Sequence, residues 1–124
     1  NDIDNIDVLV CKKHLGFSWN MDDETKKIAI SEYTKLFDDA VEEALKKDVD
    51  MIIFDEIMSA ISGEFVSEEK VLKFLNEKPE KLEVILTGRN PSEELIEKAD
   101  YVSEVKKVKH PFDKGIQSRI GIEY

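Results

Sequence analysis

Met51-Ile52-Ile53-Phe54-Asp55-Glu56 decides how this chain is read. Four apolar residues, two of them β-branched, lead into two carboxylates. That is the form of a buried strand that delivers acidic groups at its carboxyl end. In nucleotide-binding α/β proteins such a strand organises magnesium, and it works beside a phosphate loop of the form G-x-x-x-x-G-K-S/T. No such loop occurs in these 124 residues: Gly16 is the one glycine before Asp55, and no Gly-Lys-Ser/Thr is present. The chain shows one half of a nucleotide site.

Working outward from this strand, Ile6 to Cys11 is a second apolar, β-branched run and is predicted to be a buried strand. Gly16-Phe17-Ser18-Trp19 follows in a loop. Asp22 or Asp23 caps a long amphipathic helix on which Ile28, Ala29, Tyr33, Leu36, Phe37, Ala40, Val41, Ala44 and Leu45 recur at helical spacing. Beyond Asp55, residues 56–62 suit a short helix or turn stopped by Gly63. Ser67 caps a further helix that ends at Lys78-Pro79, with Glu68 and Glu69 in its first turn. Leu82 to Thr87 is another strand. Asn90-Pro91 opens a helix through Ala99, with proline at its first position. Tyr101 to Val108 alternates and is predicted as an exposed fourth strand, and residues 109–124 are irregular. Strands alternating with helices predict an α/β domain over residues 1–124, with a mostly parallel sheet covered on both faces. Its ligands bind at the carboxyl ends of the strands. Phe17/Trp19, Asp55/Glu56, Gly88/Arg89 and His110 all follow predicted strands, so the topology predicts that they converge.

Composition narrows the function classes. Lys and Arg number 18 against 28 Asp and Glu, a formal charge of −10. Nucleic-acid binding and anionic membrane surfaces both call for clustered basic residues, so neither is expected as a partner. Cys11 is the single cysteine, which excludes an internal disulfide and a cysteine-based zinc site. No apolar run approaches the roughly 20 residues of a membrane span. The polar, acidic start predicts no signal peptide, and a reducing cytoplasm is the expected compartment.

Each candidate site has a plain structural alternative. Asp55 and Glu56 suit a hard cation that keeps most of its waters; alternatively Asp55 caps the next helix and Glu56 is solvated. Phe17 and Trp19 could line an apolar pocket for a flat ligand, or pack as core beneath their loop. Arg89, after Thr87-Gly88, suits bidentate phosphate contacts or is a surface turn residue. His110 lies in Lys109-His110-Pro111-Phe112-Asp113-Lys114-Gly115, without a serine or cysteine nucleophile pattern beside it.

In order along the chain, Gly16-Phe17-Ser18-Trp19, Ile53-Phe54-Asp55-Glu56, Leu86-Thr87-Gly88-Arg89, the stretch from Val108 to Gly115 and the ending Gly121-Ile122-Glu123-Tyr124 resemble the bacterial P-loop-type ATP:corrinoid adenosyltransferase family. The resemblance runs from about Gly16 onward. The Lys-His-Pro-Phe-Asp-x-Gly stretch and the Gly-Ile-Glu-Tyr ending are its specific parts. It implies transfer of the 5′-deoxyadenosyl group of ATP to cobalt(I) of cobalamin or another corrinoid, with release of triphosphate. It also implies a RecA-like P-loop fold. Phe17 and Trp19 match the positions at which the family expels the lower cobalt ligand and holds four-coordinate cobalt(II) against apolar rings. Glu56 matches the acidic residue that helps hold Mg²⁺ (or Mn²⁺) on the triphosphate, with Asp55 in support. Arg89 is similar to a residue near the nucleotide, and His110 lies in a family motif. An electron-donating flavoprotein and a homodimer are further implied partners. Because the family's phosphate loop has no counterpart here, the resemblance implies that the chain is the C-terminal portion of an adenosyltransferase, lacks the first strand–loop–helix unit and is inactive alone. The competing expectation is a non-catalytic corrinoid-binding or interaction module without a nucleotide loop. An ATPase motor domain would explain the carboxylate strand but not Phe17, Trp19 or the C-terminal motif.

Overall fold

A computed structural model describes residues 4–11 and 22–120. Helix α1 (Asp23–Lys47) begins at Asp22, whose Oδ1 accepts the Thr25 N–H at 2.7 Å. Hydrogen bonds from Thr25, side chain first and then backbone, hold the Asp22 carboxyl below its ordinary pKa. Asp23 and Glu24 in the first turn and Lys46 and Lys47 in the last complement the helix dipole. Asp48, in the left-handed conformation, ends the helix, with its N–H directed at the last carbonyls.

Strand β1 (Met51–Phe54) leads through Asp55 and Glu56 into α2 (Ile57–Ser62), and Gly63 caps that helix. Ser67 caps α3 (Glu68–Glu77), and Lys78 closes it by donating its N–H to the Phe74 carbonyl at 2.8 Å. Strand β2 (Glu83–Leu86) then runs parallel to β1, in the register Met51↔Glu83 through Phe54↔Leu86. Helix α4 (Glu93–Lys98) starts two residues later than its proline suggested. The cap is Ser92, whose Oγ accepts the Leu95 N–H at 3.2 Å, so Pro91 precedes the helix. A 3-10 turn (Pro111–Lys114) ends at Gly115.

The core lies on one side of this two-stranded parallel sheet. Phe37 of α1 stacks on Phe54 of β1 with ring centroids 5.0 Å apart, and Phe74 of α3 meets both rings edge-on at 6.1 and 6.0 Å. Around this triad Ile57, Met58, Val66, Val71, Leu82 and Leu95 are buried. Strand residues alternate in direction, so Ile52, Phe54, Val84 and Leu86 pack toward the core. Met51, Ile53 and Ile85 point the other way and stay 48%, 57% and 40% exposed.

Three expectations are corrected here. The sheet is covered on one face rather than two among the described residues. Ile6 to Cys11 is not a strand, and Ile6, Val8 and Val10 are exposed. Tyr101 to Val108 is likewise not a strand, and Tyr101, Val105 and Val108 are almost wholly exposed. The physical reason is common to both segments. An alternating apolar run becomes a strand only when a neighbouring backbone takes up its N–H and C=O groups. Among the described residues neither segment joins the sheet, which pairs β1 with β2.

Candidate functional site at the carboxyl ends of the strands

The register of β1 and β2 builds the site. With Phe54 opposite Leu86, the next residues along each strand, Asp55 and Thr87, are brought together. Thr87 extends the ladder by donating its N–H to the Phe54 carbonyl at 3.2 Å. Its hydroxyl donates to Asp55 Oδ1 at 2.7 Å, and the same oxygen accepts the Glu56 N–H at 2.8 Å. One threonine thus fixes the first carboxylate and the backbone of the second. Ser59, one turn into α2, donates its hydroxyl to Glu56 Oε2 at 3.0 Å.

Glu56 occupies the cap position of α2 with φ 55° and ψ 27°, left-handed backbone that a residue with a Cβ rarely adopts. Its side chain caps no backbone N–H of α2; its carboxylate accepts the Ser59 hydroxyl instead. Asp55 does not cap α2 either, since its hydrogen bond goes to Thr87. Both carboxylates are exposed, and each has one oxygen pinned by a hydroxyl. Asp55 Oδ2 and Glu56 Oε1 accept no hydrogen bond among the described residues.

Gly88 closes the far side. Its φ is +138°, and a Cβ there would stand 2.6 Å from Met58 Cβ and 2.8 Å from Met58 Cγ. Only glycine lets the β2 end approach the start of α2 this closely, and Met58 N–H reaches the Thr87 carbonyl at 3.5 Å. Arg89 follows, exposed, with Asn90 in left-handed backbone at φ 54°.

Asp55, Glu56, Thr87 and Gly88 are therefore brought together, with Arg89 adjacent in the chain. His110 is not joined to them: no hydrogen bond or ion pair links it to Asp55, Glu56 or Arg89 among the described residues. Its Nδ1 instead accepts the Phe112 N–H at 3.1 Å and caps the 3-10 turn. Phe17 and Trp19 lie outside the described residues. Thr87 and Ser59 were not assigned roles from the sequence. Thr87 could have been found as the hydroxyl in register with the first carboxylate of a parallel pair. Ser59 is three residues beyond Glu56, the spacing that brings side chains together on a helix.

Two open carboxylate oxygens at a strand end fit a cation such as Mg²⁺, which keeps several waters and binds one or two protein carboxylates plus substrate phosphate. Among the described residues no group of three or more His, Cys, Asp or Glu side chains could enclose a metal by itself. A cation here would complete its shell from water and ligand. The two-stranded parallel sheet flanked by helices defines the class: an α/β protein, of the kind whose ligands bind at the carboxyl ends of the strands.

Comparison with known proteins narrows the class to a family. The sequence model of the ATP:corrinoid adenosyltransferases BtuR/CobO/CobP matches residues 2–124. The chain is 38% identical over 110 residues to a corrinoid adenosyltransferase of Sinorhizobium sp, covering 88% of this chain and 50% of that one. It is 33% identical over 109 residues to a corrinoid adenosyltransferase of Escherichia coli (strain K12), covering 88% and 55%. It is also 37% identical over 76 residues to the corrinoid adenosyltransferase CobA of Salmonella typhimurium (strain LT2), covering 61% and 39%. The chain belongs to the ATP:corrinoid adenosyltransferase family. It spans about half the length of the first two of these relatives, 50% and 55%.

Proposed function

We propose that these residues form the C-terminal portion of an enzyme that transfers the 5′-deoxyadenosyl group of ATP to a corrinoid, in cobalamin biosynthesis or salvage. The observation that carries this reading is the pair of pinned strand-end carboxylates in a chain that the family matches from residue 2 to 124. In the reaction cobalt(I) of the corrinoid attacks C5′ of ATP. The cobalt–carbon bond forms, the C5′–O bond breaks, and triphosphate leaves with its electron pair. Cobalt(I) is nucleophilic enough to need no protein base.

The chain's own residues bind and orient. Glu56 Oε1, with Asp55 Oδ2 beside it in sequence, would hold Mg²⁺ or Mn²⁺, whose contribution is to neutralise charge on the departing triphosphate. Thr87 and Ser59 keep both carboxylates in position, which limits the reorganisation needed when ligand arrives. Arg89, exposed just after β2, would contact phosphate. Phe17 and Trp19 would shield the lower face of the corrinoid from water and base, which makes cobalt(II) easier to reduce. The first strand–loop–helix unit of a RecA-like fold, with its phosphate loop, would come from polypeptide upstream. A flavoprotein reductant, a homodimer and a cytoplasmic setting go with the same reading. No helix among the described residues is long and apolar enough to cross a membrane.

The test is adenosylcobalamin formation from cobalamin, ATP and a strong reductant by protein that includes any upstream phosphate loop. Absence of product would overturn the proposal. Trp19→Ala and Phe17→Ala should slow turnover of cobalt(II) corrinoid more than that of pre-reduced cobalt(I). Equal losses on both would remove the role given to the rings.

A further inference from the structure

Charge is segregated along this chain. Residues 105–120 hold five Lys/Arg and one Asp, a local charge of +4, whereas the other residues hold 13 Lys/Arg and 27 Asp/Glu, a charge of −14. The basic segment is exposed at every position. Two of its lysines are already paired: Lys106 with Glu104 at 3.3 Å and Lys107 with Asp113 at 2.8 Å. Lys109 and Lys114 have no such partner among the described residues.

Those two lysines flank the 3-10 turn and line one depression of about 280 Å³ with His110, Pro111 and Ile116. The geometry of His110 adds a third donor. Its Nδ1 accepts the Phe112 N–H, so in the neutral ring the proton sits on Nε2. Gly115, at φ +76°, turns the chain directly after Lys114, and a Cβ there would meet nothing within 4 Å. The concavity is thus lined by two lysines and a histidine together with the apolar Pro111 and Ile116.

We propose that Lys109, His110 and Lys114 form a second anion site, one that takes a polyphosphate chain. Two unpaired ammonium groups call for a ligand with at least two negative charges. Lysine acts on phosphate as a point charge, so no fixed fork geometry is required. The acidic remainder of the chain does not forbid this. Exposed charges are screened beyond about 8 Å at physiological salt, so acidic groups farther than that weaken an anion's attraction little. The choice of phosphate over other anions rests on the proposed adenosyl transfer, which releases triphosphate; the site itself does not.

The test titrates the protein with sodium tripolyphosphate, and separately with ATP, while backbone amide NMR signals are followed. Perturbation centred on residues 109–116 by both ligands is expected, because the phosphate chain is what they share. Lys109→Ala with Lys114→Ala should weaken tripolyphosphate binding at least about fivefold, while Lys106→Ala with Lys107→Ala should change it less than about twofold. Equal losses in the two double variants would mean diffuse attraction and overturn the site. So would an ATP response without a tripolyphosphate response, equal affinity for citrate, or a concentration-dependent shift of these signals that tripolyphosphate does not reverse, which would mean a second copy of the chain. These outcomes are separate from the enzyme assay: tripolyphosphate binding without adenosyl transfer would fail only the function, and transfer with no response at residues 109–116 would fail only this site.

Discussion

Glu56 is held in left-handed backbone, which costs a non-glycine residue about 1 kcal/mol or more. Two substitutions separate that cost from the carboxylate's role. Glu56→Gly should raise stability by up to about 1 kcal/mol, because glycine enters this region freely. Glu56→Gln keeps the strain and should leave stability nearly unchanged. Under the proposed function both should weaken Mg²⁺-dependent ATP binding by protein that includes an upstream phosphate loop. Chemical denaturation measures the first effect and metal titration the second; a Glu56→Gly protein that loses stability would show that the hydroxyl of Ser59 outweighs the backbone. Thr87 has the opposite character, since it stores no strain and joins two strands. Thr87→Val keeps the shape and deletes both hydrogen bonds, at a cost of about 1 kcal/mol at this half-buried position. Metal affinity should fall along with stability, because Asp55 loses the donor that positions it.

The elements depend on two close contacts. The Phe37, Phe54 and Phe74 rings hold α1, β1 and α3 together, and Phe37→Ala should cost about 3–5 kcal/mol, enough to threaten a fold with so small a sheet. Gly88→Ala should also destabilise, by a different route: its Cβ would press on Met58 and its φ is hostile to any side chain. Thermal unfolding of the two variants distinguishes the routes only in combination with Met58→Gly, which removes the two side-chain atoms nearest the new Cβ and should partly rescue Gly88→Ala and not Phe37→Ala. The sequence made these elements legible wherever local chemistry decides them. Ser67 and Gly63 are caps whose hydrogen bonds are made within their own turn, and both are legible in the sequence; of the two candidates Asp22 and Asp23, Asp22 takes the cap. Helix α4 was misplaced because Asn90-Pro91 carries a strong start signal, yet the Ser92 hydroxyl reaches the Leu95 N–H and takes the cap. Residues 6–11 and 101–108 have the apolar pattern of strands, but a strand is a property of two chains, and pattern alone supplies one.

At the scale of the whole molecule, the site was legible in part for the same reason. Asp55 and Glu56 could be placed at a strand end because the apolar run that precedes them is local. That Thr87 would meet Asp55 depends on the register of two strands about thirty residues apart, which no local signal sets. His110 shares a sequence position after a predicted strand with the other candidates, but its segment forms no strand and its hydrogen bond is local, to Phe112. The family resemblance succeeded where periodicity did not, because it reads the order of motifs rather than their contacts. The unbroken exposure of residues 96–120 has a practical consequence. A protease needs an accessible backbone that can unfold locally into its cleft, and this stretch offers one beyond α4, with trypsin targets at Lys106, Lys107, Lys109, Lys114 and Arg119. Brief digestion should clip there first and leave a trimmed body ending near Lys106, visible by mass spectrometry before any cut within α1 or α3. Tripolyphosphate should slow the cuts at Lys109 and Lys114 relative to those at Lys106 and Lys107, which would turn the enzyme's order of attack into a map of what this stretch holds.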